Sequence, residues 1–186
     1  MLRPNMFGWA LIVTTIAAGI YWHPQPKPVS CEDLNGMYTA DSRQCFIVVD
    51  KPVTFHQAMS HCKSKFHRKL FVASVPTQPH NFYLSDWIRR NYPHINSYYI
   101  GVTAAYYSRQ GFSNEDGSEM RYWPKDFKHE KHYCTMVDAR TEEWREVDCE
   151  RKLHFVCANK PVKDFVPSAD LIIEAKVNRR HQSHQY

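Results

Sequence analysis

The hydrophobic pattern first predicts a strand and then an amphipathic helix. The strand is the apolar, β-branched run Cys45–Val49. Thr54 and Gln57 then form a capping-box pattern, in which each side chain satisfies a backbone N–H group at the start of a helix. After this cap, apolar residues recur at the spacing of one helical face, at Phe55, Ala58, Cys62 and Phe66. We therefore expect Cys62 on the inward side of this helix.

A second helix and several short strands are predicted beyond the apolar run Leu70–Val75. The helix is expected over about Pro79–Asn91, because proline suits a first helical turn and Pro93 prevents much continuation. Residues 103–133 are mostly irregular, with turn signals at Gly111 and Asp116-Gly117. Short strands are expected at Tyr98–Val102, Cys134–Val137, Glu143–Arg145 and His154–Ala158. This order predicts an α+β fold with its helices in the first half.

The N-terminal segment Met6–Trp22 contains no charged residue, and its length is at the lower limit for spanning a bilayer. Two interpretations are open. Residues 1–22 are either a cleaved signal peptide of a secreted protein or a signal anchor that tethers a single-pass type II membrane protein. Alternate prolines in residues 23–30 indicate an extended stalk. Both interpretations place the folded domain, residues 31–160, outside the cell.

Composition and charge narrow the class of function. The chain has 186 residues, of which 43% are hydrophobic, so a folded core is expected. Its net charge is +5, but residues 31–160 hold 18 basic and 16 acidic residues, without the basic bias of a nucleic-acid-binding domain. The sequence contains no nucleophile elbow, no phosphate-binding glycine loop and no HExxH motif. We therefore expect neither an enzyme nor a cofactor.

The chain has six cysteines, at Cys31, Cys45, Cys62, Cys134, Cys149 and Cys157. An even number behind an apolar N-terminal segment indicates three disulfides formed in an oxidising compartment. The spacing of the cysteines does not by itself select one pairing.

Several motifs occur in one order along residues 31–160. They are Phe55, Ala58 and Cys62 on the first helix, Leu70–Val75, Tyr99–Val102, Asp116-Gly117, Tyr122-Trp123, Trp144–Cys149 and Phe155–Cys157. In this order and spacing they resemble the C-type lectin-like domain of the long form. The resemblance implies two helices, small antiparallel sheets and a long irregular loop region. It also implies the disulfide pairs Cys31–Cys45, Cys62–Cys157 and Cys134–Cys149.

The family's sugar-binding calcium site has lost most of its motif in this sequence. Calcium-dependent members hold the ion with a Glu-Pro-Asn or Gln-Pro-Asp tripeptide and with an Asn-Asp pair after the late tryptophan. Neither tripeptide occurs here, and Arg145, which has no acceptor atom, stands at the asparagine position. Glu146 alone keeps a carboxylate. We therefore expect no metal at this site, whereas a second calcium site built from Glu115, Asp116 or Glu119 stays open as an alternative.

A basic and aromatic segment precedes Cys134 and provides candidate ligand-binding residues. With Arg145, the candidates are Trp123, Lys125, Lys128, His129, Lys131 and His132. Such residues suit an anionic ligand, with cations for its charge and aromatic rings for sugar faces. The alternative is a solvated loop, because Asp126 and Glu130 offset two of the charges.

The leading hypothesis is therefore a non-catalytic, extracellular recognition module that binds a protein or an anionic glycan without calcium. One alternative is a carbohydrate-binding lectin with a degenerate site, and another is a structural or toxin-like secreted component. The C-terminal tail, residues 161–186, is expected to contain a short helix from Ser168 to about Arg180.

Overall fold

The computed structural model describes residues 30–65, 70–104, 111–127 and 133–162. The elements are β1 (Met37–Thr39), β2 (Gln44–Val53), α1 (Phe55–Lys65), β3 (Leu70–Val72), α2 (Gln78–Asn91), β4 (Ser97–Ala104), β5 (Phe112–Asn114), β6 (Cys134–Asp138), β7 (Trp144–Val147) and β8 (Leu153–Asn159). Outside the described residues lie the apolar N-terminal segment, Phe66, the predicted C-terminal helix and four candidate ligand residues: Lys128, His129, Lys131 and His132.

The strands form one sheet in the order β1-β2-β8-β4-β6-β7, while β3 also pairs with β8 and β5 with β4. All of these pairs are antiparallel except β4 with β8. The predicted α+β class is confirmed. Neither helix of the described residues has the length and apolarity needed to cross a membrane.

Helix α1 begins at the predicted capping box. The Thr54 backbone N–H donates to Gln57 Oε1 at 3.2 Å, and the Gln57 N–H donates to Thr54 Oγ1 at 3.4 Å. The buried side chains of this helix are Phe55, Ala58 and Cys62, as its periodicity predicts. Helix α2 begins at Gln78, one residue before the predicted start, because the preceding Thr77 accepts the N–H of His80 and acts as the N-cap.

The core consists of two clusters on opposite faces of the sheet. Consecutive residues of one strand alternate between them, as strand geometry requires: Tyr98 belongs to one cluster and Tyr99 to the other. Helix α2 contributes Leu84 and Ile88 to the cluster of Tyr98, whereas α1 contributes its apolar face to the cluster of Tyr99. Each helix therefore covers one face of the sheet.

Three disulfides hold this arrangement: Cys31–Cys45, Cys62–Cys157 and Cys134–Cys149. They are the same pairs that the resemblance implies, and none of the six cysteines is free. Cys62–Cys157 joins α1 to β8 across 95 residues of sequence. Cys134–Cys149 joins the start of β6 to the segment after β7.

Candidate functional site

A cleft of about 880 Å³ opens beside Trp144. Three segments line it: the first turn of α2, the end of the long loop and the β6–β7 hairpin. The lining residues are Gln78, Asn81, Tyr122, Pro124–Phe127 and Arg140–Glu146. The cleft therefore brings together parts of the chain that are far apart in sequence.

Trp144 forms a fixed wall of the cleft. Its side chain is buried, and its indole N–H donates to Asn81 Oδ1 at 2.9 Å. The Asn81 amide N–H₂ in turn donates to the Glu142 carbonyl at 2.8 Å. A buried indole N–H needs an acceptor, and Asn81 provides it. Because Asn81 also donates to the hairpin, its two hydrogen bonds connect α2 to Trp144 and to the Glu142 backbone.

An aromatic cluster supports the loop side of the cleft. The Phe127 ring centroid lies 4.9 Å from that of Phe112, 5.0 Å from that of Trp123 and 5.7 Å from that of Trp144. Trp123 is half-buried in this cluster and does not line the cleft. Among the sequence candidates, its ring therefore stabilises the loop, while Lys125 and Arg145 reach the cleft.

The charged groups of the cleft have mixed sign. Its basic residues are Lys125, Arg140 and Arg145, and its acidic residues are Asp126, Glu142, Glu143 and Glu146. The Arg145 guanidinium donates to Glu143 Oε2 at 2.6 Å, and both side chains are more than half exposed. This hydrogen bond raises the pKa of Arg145, which keeps it a permanent cation at the cleft. Because the pair is exposed, an incoming anion can exchange with Glu143 at little cost.

The carboxylates considered for a second calcium site have structural contacts instead. Lys63 Nζ lies 2.6 Å from Glu115 Oε1, and the Glu115 side chain is only 7% exposed. Asp116 accepts the Ser74 hydroxyl at 2.7 Å through one oxygen, and the Ser118 backbone N–H at 2.7 Å through the other. These contacts tie the turn to α1 and to the segment after β3, and they engage both oxygens of Asp116 but one oxygen of Glu115, since Glu115 Oε2 is buried without a hydrogen-bond partner among the described residues. The third carboxylate, Glu119, accepts a hydrogen bond from Arg121 Nε at 3.2 Å.

Sequence reasoning did not identify the α2 side of the cleft or Arg140–Glu142. Asn81 reads as an ordinary polar residue of a helix, and only its distance from Trp144 in space makes it a site residue. The buried tryptophan offered a weak signal, since its N–H had to find an acceptor somewhere in the chain. Lys128, His129, Lys131 and His132 lie outside the described residues.

The family model described as "Lectin C-type domain" matches residues 51–159, which is more than half of the chain. The chain belongs to the C-type lectin family. The family and fold predicted from the sequence are therefore confirmed. A search of curated proteins found no match.

Solved structures show the same fold at low sequence identity. Human lithostathine is 20% identical with a TM-score of 0.60, and the match covers 75% of this chain and 97% of that one. The C-type lectin CEL-I from Cucumaria echinata is 15% identical with a TM-score of 0.57, covering 69% and 96%. A calcium-independent type II antifreeze protein is 18% identical with a TM-score of 0.55, covering 68% and 92%.

Proposed function

We propose that this C-type lectin-like protein is a non-catalytic, extracellular recognition module that binds a protein or an anionic glycan in the cleft beside Trp144, without calcium. The observation that carries the proposal is the position of Arg145. Its guanidinium stands where calcium-dependent members of the family have an asparagine, and it pairs with Glu143 at 2.6 Å.

Electrostatics disfavour a divalent cation beside Arg145. A guanidinium donates hydrogen bonds but offers no oxygen to a metal. A divalent ion about 4 Å from this charge would be repelled by about 2 kcal/mol even in water, twice the value for two unit charges. The acidic residues of the cleft lessen this repulsion, but Glu143 is already engaged by Arg145.

The same groups suit a carboxylate or sulfate of a ligand. Arg145 and Lys125 both line the cleft, and a guanidinium binds such groups through two parallel hydrogen bonds. Because acidic residues stand beside both cations, the cleft selects ligands that present an anion together with hydrogen-bond donors. Acidic protein surfaces and sulfated sugars have this character.

The extracellular location is proposed on chemical grounds. Three disulfides persist in an oxidising compartment, and residues 1–22 then serve as the signal peptide or signal anchor that delivers residues 31–160 there. N-terminal sequencing of the expressed protein distinguishes cleavage from retention. Residues 23–30 then form the stalk and residues 161–186 the tail.

A binding screen tests this proposal. The protein is applied to arrays of sulfated glycans and of acidic protein ligands, with and without a calcium chelator. We expect binding that the chelator leaves unchanged. The double variant Lys125→Ala/Arg145→Ala should bind at least about tenfold more weakly, because each lost charged hydrogen bond is worth about 1.5–3 kcal/mol.

The control variant is Arg151→Ala/Lys152→Ala, which removes the same charge from exposed positions that do not line the cleft. It should keep the affinity of the unmodified protein. Sugar binding that the chelator abolishes would overturn the proposal and favour a lectin with a degenerate site. Assembly into large oligomers without ligand binding would favour the structural or toxin-like alternative.

A further inference from the structure

Three side chains of types that can bind metals meet at one surface of the domain, each from a separate segment: Asp50, His94 and His154. Asp50 Oδ1 lies 2.8 Å from His94 Nε2 and 3.2 Å from His154 Nε2. The two imidazole rings are 5.8 Å apart between centroids and nearly perpendicular. Among the described residues, this is the only group of three histidine, cysteine or acidic side chains that converges in this way.

The backbone holds each of the three residues in place. Val49 of β2 pairs with Phe155 of the antiparallel strand β8. Asp50, which follows Val49, and His154, which precedes Phe155, are therefore neighbours on adjacent strands. His94 lies in a turn closed by the hydrogen bond from the Ile95 N–H to the Tyr92 carbonyl, at 2.9 Å. Pro93 fixes the backbone at the second position of that turn, and the buried Ile95 anchors its end in the core.

The donor set selects the class of metal. Two imidazoles and one carboxylate suit Zn²⁺ and related transition metals, whereas Ca²⁺ and Mg²⁺ prefer oxygen ligands alone. At a zinc–ligand distance of about 2.0–2.1 Å, tetrahedral donor atoms are about 3.4 Å apart. The present separations from Asp50 are 2.8 and 3.2 Å, and all three atoms lie within 4.8 Å of one another. Changes of about 0.2–0.6 Å in the two separations from Asp50, and an approach of at most about 1.4 Å between the two imidazole nitrogens, bring the three atoms to tetrahedral spacing.

We propose that Asp50, His94 and His154 form a Zn²⁺ site with three protein ligands and a fourth position open to water or to a side chain of a partner. The site is independent of the proposed function, since none of its residues lines the cleft beside Trp144. The His94 and Asp50 side chains are 56% and 46% exposed, which leaves a path for the ion and for a fourth ligand. In the zinc-bound form each neutral imidazole coordinates the ion through the Nε2 lone pair and carries its single proton at Nδ1; a ring that holds this proton at Nε2 beforehand exchanges it to Nδ1 through solvent.

The test is a titration of the full chain with zinc chloride, monitored by calorimetry against a competing chelator. We expect one zinc equivalent whose affinity falls at least about tenfold in each of Asp50→Asn, His94→Gln and His154→Gln. His56→Gln is the matched control, because His56 is an exposed histidine outside the group. It should keep this equivalent. A further variant, His129→Gln/His132→Gln, shows whether any of the bound zinc is held by these two histidines of the long loop instead.

Two additional readouts keep the result clear if a variant folds poorly. In the unmodified protein, zinc should shift the imidazole NMR signals of His94 and His154. Zinc should also raise the midpoint of thermal unfolding in the unmodified protein and in His56→Gln, but not in His94→Gln. The proposal is overturned if zinc leaves the signals of His94 and His154 unchanged, or if every bound equivalent survives in His94→Gln and disappears in His129→Gln/His132→Gln.

Discussion

Removal of the Cys62–Cys157 disulfide should cost more stability than removal of either other bridge. In the chain-entropy model a closed loop of 95 residues contributes about 4.7 kcal/mol, and one of 14 residues about 3 kcal/mol. The difference is about 1.7 kcal/mol. Lost packing adds to it, because Cys62 and Cys157 are both fully buried in the core, whereas Cys31 and Cys45 are half-buried.

The comparison is between Cys62→Ala/Cys157→Ala and the control Cys31→Ala/Cys45→Ala. The assay is urea unfolding without reductant, with the free energy of unfolding extrapolated to water. Since small domains are stable by about 5–15 kcal/mol, the long-loop variant loses nearly all of the stability of a domain at the lower end of this range, whereas the control keeps a positive free energy of unfolding. A long-loop variant that loses no more stability than the control would refute this account of how the domain is held together.

Three further predictions concern single residues, each measured by urea unfolding. Gly101→Ala should destabilise the domain by at least about 3 kcal/mol. The added Cβ would overlap the Val72 carbonyl oxygen, and the backbone cannot move away easily because the Gly101 N–H donates to the Ala73 carbonyl at 2.8 Å. Gly111→Ala should cost only about 1–2 kcal/mol, because Gly111 has a φ of +77° but open space around it. Equal losses of stability in the two variants would contradict this steric reasoning. Asn81→Ala should cost about 2–3 kcal/mol by leaving the Trp144 N–H unpaired; a change below about 0.5 kcal/mol would mean that water replaces Asn81. Burial lowers the pKa of His80, although Asp41 acts in the opposite direction. The His80 side chain therefore takes up a proton more readily in the unfolded chain than in the folded one. As a consequence, the free energy of unfolding should fall as the pH drops below about 6.5. His80→Gln should remove part of this fall between pH 7 and pH 5, and a larger fall in the variant would indicate that His80 is protonated beside Asp41.

Local features of the fold were predictable because their causes lie within a few residues. The capping box of Thr54 and Gln57 satisfies backbone groups of the adjacent turn, so its sequence pattern is enough to place the start of α1. The apolar periodicity likewise identified the buried face that carries Cys62. Strands β1 and β5 escaped prediction, because three-residue strands have little periodicity and form through their partners β2 and β4.

By itself, the sequence determined the α+β class, the family and the presence of the cation Arg145 directly after Trp144, since each depends on residue type and order. Only the tertiary structure decided which residues surround the cleft and that Trp123 packs away from it. It also brought Asp50 and His94 together across 44 residues of sequence. The physical reason is that sheet register and helix packing set distances between remote segments, and no local pattern carries that information.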